Sequence, residues 1–429
     1  MSSKVTAIEG AATPRRAPSW LDAAARRAVL ERLARIEVGR LRMIAGDEEW
    51  RFGAPAGDGP AATVRVHDAR TFAELAFGGS IGGAEAYMLG FWDADDLTSV
   101  IRVLLRNRAV LDHLEIGAAR LKAPLQRALH WLNRNTRAGS RRNIAAHYDL
   151  GNEFFGLWLD PSLMYSSAIF ATPTTTLEEA SAAKNELICR KLKLSPKDRL
   201  LEIGTGWGGF ALHAARTCGC RITSVTISRE QHELACRRVR EAGLGDRVTV
   251  LLADYRELDP AVHGTFDKLV SIEMIEAVGH DYQPVLFRKC AEMLRSDGAM
   301  LLQAITIDDR RYERARRSVD FIQRYIFPGS CLTSVTNMSA ALTRSTDLRI
   351  AHLEDIGSHY ATTLAHWRER FRARGQEIRA LGFPETFMRM WEYYFCYCEA
   401  GFRERAIGDV QLLLVKPNCR IDLPGVTPC

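Results

Sequence analysis

Apolar and polar positions in the second half of the chain predict strands that alternate with helices. Short apolar runs typical of buried strands occupy residues 200–203, 221–226, 247–252, 266–272 and 299–305. Apolar residues at helical spacing follow the second run, over 229–242. Strands that alternate with helices form a parallel sheet, and such sheets bind ligands beyond the carboxyl ends of their strands. The pattern therefore predicts an α/β domain with its site at that edge.

The first part of the chain has a different pattern. Residues 1–18 are polar and rich in proline and arginine, and we expect a disordered leader there. A helical pattern over 19–45 leads into strand-like pieces at 50–52 and 62–66, and 100–110 is typical of an amphipathic helix. These elements predict a small α+β domain over 19–119. A scaffold or dimerisation role without chemistry is one interpretation of this domain.

The sequence predicts a basic amphipathic linker over residues 120–142. Seven lysines and arginines occur there without an acidic residue, and leucine and tryptophan are interleaved at near-helical spacing. Such a segment suits an anionic membrane surface, to which each basic residue contributes about 1 kcal/mol. A solvated linker is the main alternative. RNA binding is a weaker one, because nothing aromatic-rich supports it, and no nucleic-acid partner is expected.

The first of the five strand-like runs leads into a glycine-rich loop. Gly204, Gly206 and Gly208 alternate with other residues, and Glu202 lies two positions ahead of them. Glycines let the chain turn sharply and let a ligand approach the backbone. These three glycines have the spacing GxGxG, whereas the glycines of dinucleotide sites are described by GxGxxG. A structural turn is one interpretation. The pattern also resembles the S-adenosylmethionine (SAM) loop of class I methyltransferases, in which a carboxylate meets the ligand's cationic amino group.

Other polar residues fall at the same predicted edge of the sheet. They follow the second, third and fourth strands or lie in the fifth, and they are residues 226–231, Asp254, Tyr255, Glu273, Glu276 and Gln303. Residues from four loops that converge on one edge are a stronger indication of a ligand site than a glycine loop alone.

Composition narrows the possible partners and the compartment. A length of 429 residues suggests two domains, and a net charge of +6 is too small to require nucleic acid. The ten cysteines include CxC pairs but no CxxC pair, so we expect free thiols in a reducing cytosol and no metal site. No signal peptide is visible, and no apolar run approaches the ~20 residues that span a bilayer. We therefore expect a cytoplasmic protein that meets membranes only at their surface.

Six further motifs occur in a recognisable order, at residues 143–155, 163–170, 271–279, 325–329, 359–367 and 398–402. With the glycine loop, they make the chain resemble the cyclopropane-fatty-acyl-phospholipid synthase family, which includes the mycolic acid cyclopropane synthases. The resemblance is strong over 120–429, and 19–119 looks like the family's N-terminal lipid-side domain. It implies a class I SAM-methyltransferase domain over 143–429, Rossmann-like and α/β. Its mostly parallel seven-stranded sheet would have helices on both faces, and a homodimer through the N-terminal domain is a possible assembly.

The resemblance also implies the chemistry. The SAM methyl group is transferred to a cis double bond in the acyl chain of a phospholipid at the inner membrane surface. The resulting carbocation loses a proton from the new methyl group and closes to a cyclopropane, with a bound bicarbonate as the base. The residues carried over to the bicarbonate cage are Ser167, Glu276, Gln303, Tyr360 and Cys398. Those carried over to SAM are Tyr165, Ser166, Glu202, Gly204, Thr205, Gly206, Trp207, Gly208, Thr226, Gln231, Tyr255 and Arg256.

Two cage positions depart from the commoner family pattern. Ser167 stands where many members have cysteine, and Gln303 stands where well-known bacterial enzymes have histidine, although plant-type members have glutamine. Both side chains still form hydrogen bonds, but a glutamine cannot carry the charge that a histidine can. A methylene- or methyl-branched product, a soluble small-molecule methyltransferase and a non-catalytic lipid-binding relative therefore stay open. Taken alone, Cys398 is typical of a buried apolar residue, whereas Gln303 in an apolar strand should have a partner.

Overall fold

The computed structural model describes residues 20–54, 59–110 and 150–422. The described residues form two compact units, one within 1–132, 317–328 and 367–406, the other within 133–316, 329–366 and 407–429. Both are assembled from separate stretches of chain, whereas the domains expected from the sequence are contiguous; those boundaries stay predictions. The expected leader, 1–18, and the basic linker, 120–142, lie outside the described residues.

The elements are numbered here in chain order. Those of the first described stretches are α1 (Trp20–Leu33), β1 (Arg40–Ala45), β2 (Glu48–Gly53), β3 (Ala61–Val66), α2 (Arg70–Met88), β4 (Trp92–Ala94) and α3 (Leu97–Arg106). The next are α4 (Asn152–Gly156), α5 (Leu177–Leu192), β5 (Arg199–Ile203), α6 (Gly209–Thr217), β6 (Arg221–Thr226), α7 (Arg229–Glu241), β7 (Val248–Leu252), α8 (Pro260–His263) and β8 (Phe266–Ile272). The last are α9 (Gln283–Met293), β9 (Leu294–Ile307), α10 (Asp309–Ala315), α11 (Val335–Ser345), β10 (Arg349–Asp355), α12 (Gly357–Ala373), α13 (Gly375–Ala380), α14 (Glu385–Arg403) and β11 (Ile407–Val415).

The unit that contains the N-terminal elements has a four-stranded sheet in the order β2-β1-β3-β4. The helix predicted over 19–45 is wrong beyond Leu33, since residues 40–45 form β1. The left-handed backbone of Gly39, at φ +82°, precedes this strand. The strand then buries Leu41 and Met43, two residues apart, on one face, as a half-buried strand does. The strand-like pieces at 50–52 and 62–66 are confirmed as parts of β2 and β3.

The other unit contains a seven-stranded sheet in the order β10-β11-β9-β8-β5-β6-β7. From β9 to β7 all neighbours are parallel, and β11 runs antiparallel to both β9 and β10. The predicted fold class is therefore confirmed. All five predicted strands are present, with β6 and β8 at their predicted bounds and β9 longer than expected, from Leu294 to Ile307.

Helices cover both faces of this sheet. Successive strand residues, such as Leu301 and Leu302, belong to two different hydrophobic clusters. One cluster includes residues of α9 and α11, and the other includes residues of α5 and α6. Because successive side chains of a strand point to opposite faces, the split shows that both faces are buried, as parallel sheets require.

No helix within the described ranges is both long and apolar enough to cross a bilayer.

Candidate active site

The glycine loop after β5 has the backbone that its sequence predicts. Gly204, Gly206 and Gly208 have φ values of +98°, +53° and +83°, a region that favours glycine. A Cβ at Gly206 would meet no atom within 4 Å, whereas one at Gly204 would come within 3.2 Å of Met274. The backbone at Gly206 therefore faces open space, as the close approach of a ligand requires.

Glu202 lies buried beneath this loop, with 2% of its surface exposed. The Ser224 hydroxyl is 2.5 Å from its carboxyl and 2.7 Å from the Thr205 hydroxyl. Burial raises the pKa of Glu202 to about 8, opposed by the hydrogen bond from Ser224 and the charge of Lys184. A cationic group placed beside this carboxyl would favour its ionised form, which suits a ligand with an ammonium group.

The other residues predicted to bind SAM follow neighbouring strands. At the end of β6, the Thr226 hydroxyl donates to the Gln231 side-chain oxygen at 2.9 Å. After β7, Arg256 pairs with the buried Asp254 through two hydrogen bonds of 2.8 and 2.5 Å. The Arg256 guanidinium also lies 5.6 Å from the centre of the Tyr255 ring. The structure thus commits the charge of Arg256 to Asp254 and holds Tyr255 beside it.

The segment ahead of the glycine loop contributes aromatic and polar groups. The Tyr165 ring packs against Phe155 and Trp158, with centroids 5.6 and 5.4 Å apart. Trp207 of the loop donates its indole N–H to the Asn152 side-chain oxygen at 2.6 Å. These contacts fix the rings but do not show what they touch in a complex, so their part in SAM binding stays a prediction.

A buried polar centre lies at the same edge of the sheet. The carboxyl of Glu273, the first residue after β8, accepts three hydrogen bonds. They come from the Ser167 backbone N–H at 2.8 Å, the Gln303 side-chain amide at 2.7 Å and the Tyr360 hydroxyl at 2.6 Å. The structure therefore brings three of the five predicted cage residues together, around a carboxylate of the chain itself.

The remaining two cage residues are placed differently. Glu276 is 9% exposed, and its carboxyl accepts a hydrogen bond from the Ile305 backbone N–H at 2.6 Å. Its other carboxyl oxygen is buried without a hydrogen-bond partner. Cys398 lies on α14, in the other compact unit. There, burial and then the charge of Asp320 raise the pKa of its thiol.

Gln303 has the partners that its position in an apolar strand predicts. Its amide N–H groups also reach Asp409 at 3.1 Å, and its oxygen accepts from the Gln411 amide at 3.0 Å. The Gln411 oxygen in turn accepts from the Lys191 ammonium at 2.8 Å. An ammonium can only donate, so Lys191 fixes the orientation of both amides and turns the Gln303 N–H groups towards Glu273.

Glu273, Glu276 and Asp409, named here the carboxyl cluster, share an unusual electrostatic environment. Burial raises the pKa of all three, that of Glu276 to about 8. The charge of Glu273 is a further cause for both Glu276 and Asp409. Hydrogen bonds from Tyr360, Ser167 and Gln303 lower the pKa of Glu273, and backbone hydrogen bonds lower that of Glu276. Among the three, Glu273 therefore has the most hydrogen bonds that favour the charged form, whereas the charge of Glu273 favours the protonated forms of Glu276 and Asp409.

Lys184 is a buried cation whose charge acts on the pKa of Glu273 and of Asp409. Its side chain has no exposed surface, and its ammonium donates to the Ser166 hydroxyl at 3.0 Å. Burial lowers its pKa to about 8, and the charge of Glu273 is the largest effect that raises it. The ammonium thus opposes part of the cost of burying the Glu273 charge.

Two members of this site, Asp409 and Lys184, are not among the residues predicted from the sequence. Asp409 lies two residues before Gln411 in the otherwise apolar β11, a spacing that places both on one face and could have identified them. Lys184 follows Ala180 and precedes Ile188 at intervals of four residues on α5, so it occupies an apolar helical stripe. A charged residue in an apolar stripe indicates a buried charge, and this could have identified Lys184 from the sequence. Across the described residues, no group of three or more His, Cys, Asp or Glu side chains is arranged to hold a metal ion.

The bicarbonate expected from the sequence is tested by where the cage donors point. The amide of Gln303, the hydroxyl of Tyr360 and the backbone N–H of Ser167 all donate to Glu273. The Ser167 hydroxyl donates to the Ala168 carbonyl oxygen at 3.1 Å. The carboxyl cluster further opposes a second anion at this place. The residues present therefore do not fit a bound bicarbonate.

Comparison with known proteins shows similarity along most of the chain. A family model described as mycolic acid cyclopropane synthetase matches residues 135–412. The tuberculostearic acid methyltransferase UfaA1 of Mycobacterium tuberculosis is 38% identical over 415 residues, which cover 92% of this chain and 92% of the relative. The cyclopropane-fatty-acyl-phospholipid synthase of Escherichia coli strain K12 is 36% identical over 377 residues, or 86% of this chain and 91% of that protein.

A solved structure shows the same similarity in three dimensions. It is the mycolic acid cyclopropane synthase CmaA1, complexed with SAH and CTAB, which is 30% identical to this chain with a TM-score of 0.60. The match covers 64% of this chain and 98% of that one.

Proposed function

The chain belongs to the mycolic acid cyclopropane synthetase family, whose members include SAM-dependent methyltransferases of lipids, and from this premise we propose that it methylates a cis double bond in the acyl chain of a membrane phospholipid and closes the product to a cyclopropane. The observation that carries the proposal is the position of the carboxyl cluster. Glu273 and the SAM loop follow the paired strands β8 and β5. Met274, the next residue after Glu273, lies against Gly204.

This juxtaposition matches the needs of the reaction. SAM supplies an electrophilic methyl group when bound. When the π electrons of an alkene form a bond to the methyl carbon, positive charge develops on the other carbon of the double bond. A fixed anion nearby lowers the energy of that state. A base must then remove a proton. Methylation of an amine or a hydroxyl produces no such carbocation and needs no buried carboxylate opposite the methyl donor.

A methylene- or methyl-branched product is the second candidate. It is favoured by a specific observation, because the relative with 38% identity is named a methyltransferase and not a cyclopropane synthase. Both products share the first step and the first cation. The ring forms when the electron pair left by the departing methyl proton bonds to the cationic carbon. The methylene branch forms when a hydride first shifts from the methylated carbon to the cationic carbon, so that the pair left by the methyl proton then forms a double bond.

A phospholipid at a membrane surface is the proposed substrate. Its support comes from the name of the Escherichia coli relative and from the basic residues of 120–142, which lie outside the described residues. Raised salt should weaken binding to anionic vesicles if this segment contacts lipid, since salt screens such contacts. Salt-independent binding would contradict that role. Location at the inner membrane surface and a homodimer are parts of the same proposal.

The proposed reaction is tested with purified protein, SAM and vesicles of cis-monounsaturated phospholipid. Vesicles of the saturated phospholipid are the matched control. Mass spectrometry of the released fatty acids should show the gain of one CH2 group from the unsaturated vesicles alone. A product that resists hydrogenation is a cyclopropane, and one that takes up hydrogen is a methylene branch. Protein that binds SAM and forms no lipid product would contradict the proposal.

A further inference from the structure

The donors expected to hold an anion from solution hold a carboxylate of the chain. A backbone N–H, a side-chain amide and a phenol converge on Glu273 over 2.6–2.8 Å. These are the lengths of hydrogen bonds to a charged acceptor. The Gln303 amide cannot turn away, because Gln411 and Lys191 fix it from behind. The Glu273 carboxylate is thus the anion that all three donors bind.

We propose that Glu273 is the catalytic base of this enzyme and takes the place of bicarbonate, so that turnover needs no dissolved anion. This inference rests on the proposed function, since it concerns the proton that the methylated acyl chain must lose. It makes Glu273 a catalytic residue and the base that removes the proton. The family resemblance gives this role to a bound bicarbonate.

The step balances as follows. A C–C bond forms between the SAM methyl carbon and one alkene carbon while the S–CH3 bond breaks, and its electron pair stays on sulfur. The other alkene carbon becomes cationic. Glu273 then takes a proton from the new methyl group, and the released C–H electron pair forms the bond to the cationic carbon. The proton remains on the Glu273 carboxyl until it is lost to water after the product leaves.

Three observations distinguish Glu273 from the other two members of the carboxyl cluster. Glu273 alone accepts three hydrogen bonds that favour its charged form. It retains some exposed surface, as a group that meets a substrate must, whereas Asp409 is fully buried. Its backbone has a φ of +46°, a left-handed conformation that is rare for residues other than glycine and that concentrates at functional sites. Burial also makes it a stronger base than an exposed glutamate.

The test measures lipid product in CO2-free buffer, with and without added bicarbonate, for the full-length protein and two variants. Glu273→Gln keeps the side chain's size and removes the charge. Glu273→Gly relieves the left-handed backbone and opens a space lined by the three donors. Glu179→Gln is the matched control, because it alters a glutamate of the same unit in the capping box of α5, where glutamine is equally suited. SAM affinity is measured for every variant to establish that its fold is intact.

We expect wild-type turnover to be unchanged by removal of bicarbonate. Glu273→Gln should lower turnover by about 100-fold or more, the usual contribution of a general base, while SAM affinity and the Glu179→Gln control stay near wild type. Recovery of Glu273→Gly on addition of bicarbonate or formate would support the assignment. A wild-type enzyme that stops without bicarbonate and restarts with it would overturn the assignment. So would a Glu273→Gln variant of near-normal turnover. Wild-type protein without lipid product in any buffer would instead refute the proposed function.

Discussion

Replacement of Glu276 by glutamine should stabilise the protein, and more so as the pH rises. Glu276 is buried, and its carboxyl accepts one hydrogen bond from the Ile305 backbone N–H. Burial and the charge of Glu273 raise its pKa from 4.5 to about 8. A glutamine at this position keeps an oxygen for the Ile305 N–H and cannot ionise, so it resembles the protonated glutamate.

The sign and size of the effect follow from proton linkage. Below pH 4.5 the carboxyl is protonated in both folded and unfolded protein, and it does not oppose folding. Between pH 4.5 and 8 it ionises only when unfolded, so the free energy of unfolding of the wild type falls as the pH rises. Each pH unit in this range costs about 1.4 kcal/mol. The wild type should therefore lose about 3 kcal/mol by pH 7 and about 5 kcal/mol above pH 8, a loss that Glu276→Gln avoids.

Urea-induced unfolding, followed by tryptophan fluorescence for both proteins at pH 5 and pH 8, measures this difference. The variant should exceed the wild type by about 1 kcal/mol or less at pH 5 and by several kcal/mol at pH 8. Glu273 and Asp409 also titrate, but they are present in both proteins and largely cancel. Equal differences at the two pH values, or a wild type that is the more stable protein at pH 8, would refute the reasoning.

Three other predictions concern SAM binding and the buried network. Gly206→Ala should weaken SAM binding more than tenfold in titration calorimetry, because the added methyl group enters the ligand's space. The control is Gly243→Ala, at φ +66° and equally uncrowded, which should leave SAM affinity unchanged. Equal losses of affinity in the two variants would contradict the prediction. Gln303→Leu should cost about 2–5 kcal/mol of unfolding free energy, because it removes one of the three hydrogen bonds to the Glu273 carboxyl and leaves the buried Gln411 amide N–H without its acceptor. A cost below about 1 kcal/mol would show that the network adds little. SAM affinity should rise from pH 6 to pH 8 as Glu202 ionises. Glu202→Gln should weaken SAM binding and flatten that rise. Parallel pH profiles of SAM affinity in the wild type and the variant would show that Glu202 does not contact SAM.

The parts of the fold that follow periodicity could be predicted from the sequence. β6 and β8 lie at their predicted bounds because a buried parallel strand is a continuous apolar run ended by polar residues. β1 was mistaken for helix because its short alternation follows a helical stripe directly. A local pattern does not show that residues 40–45 pair with two other strands.

The candidate site could be predicted only as a set of donors. The family resemblance, and not their residue types, identifies Ser167, Gln303 and Tyr360 as groups that hold an anion. Glu273 and Glu276 lie three residues apart at the same predicted strand end, and the resemblance gives a role to Glu276 alone. The left-handed turn at Glu273 and the amide orientation fixed by Lys191 separate them, and both depend on residues far apart in the chain.

The most direct test of the account uses SAM that carries a fully deuterated methyl group. Vesicles of cis-monounsaturated phospholipid are incubated with the enzyme, and the acyl product is analysed by mass spectrometry. If a carbon of the double bond is methylated and a base removes a proton from the new methyl group, the product retains two of the three deuterium atoms. A product that retains all three, or an active SAM-binding protein that leaves the unsaturated acyl chains unchanged, would contradict the account.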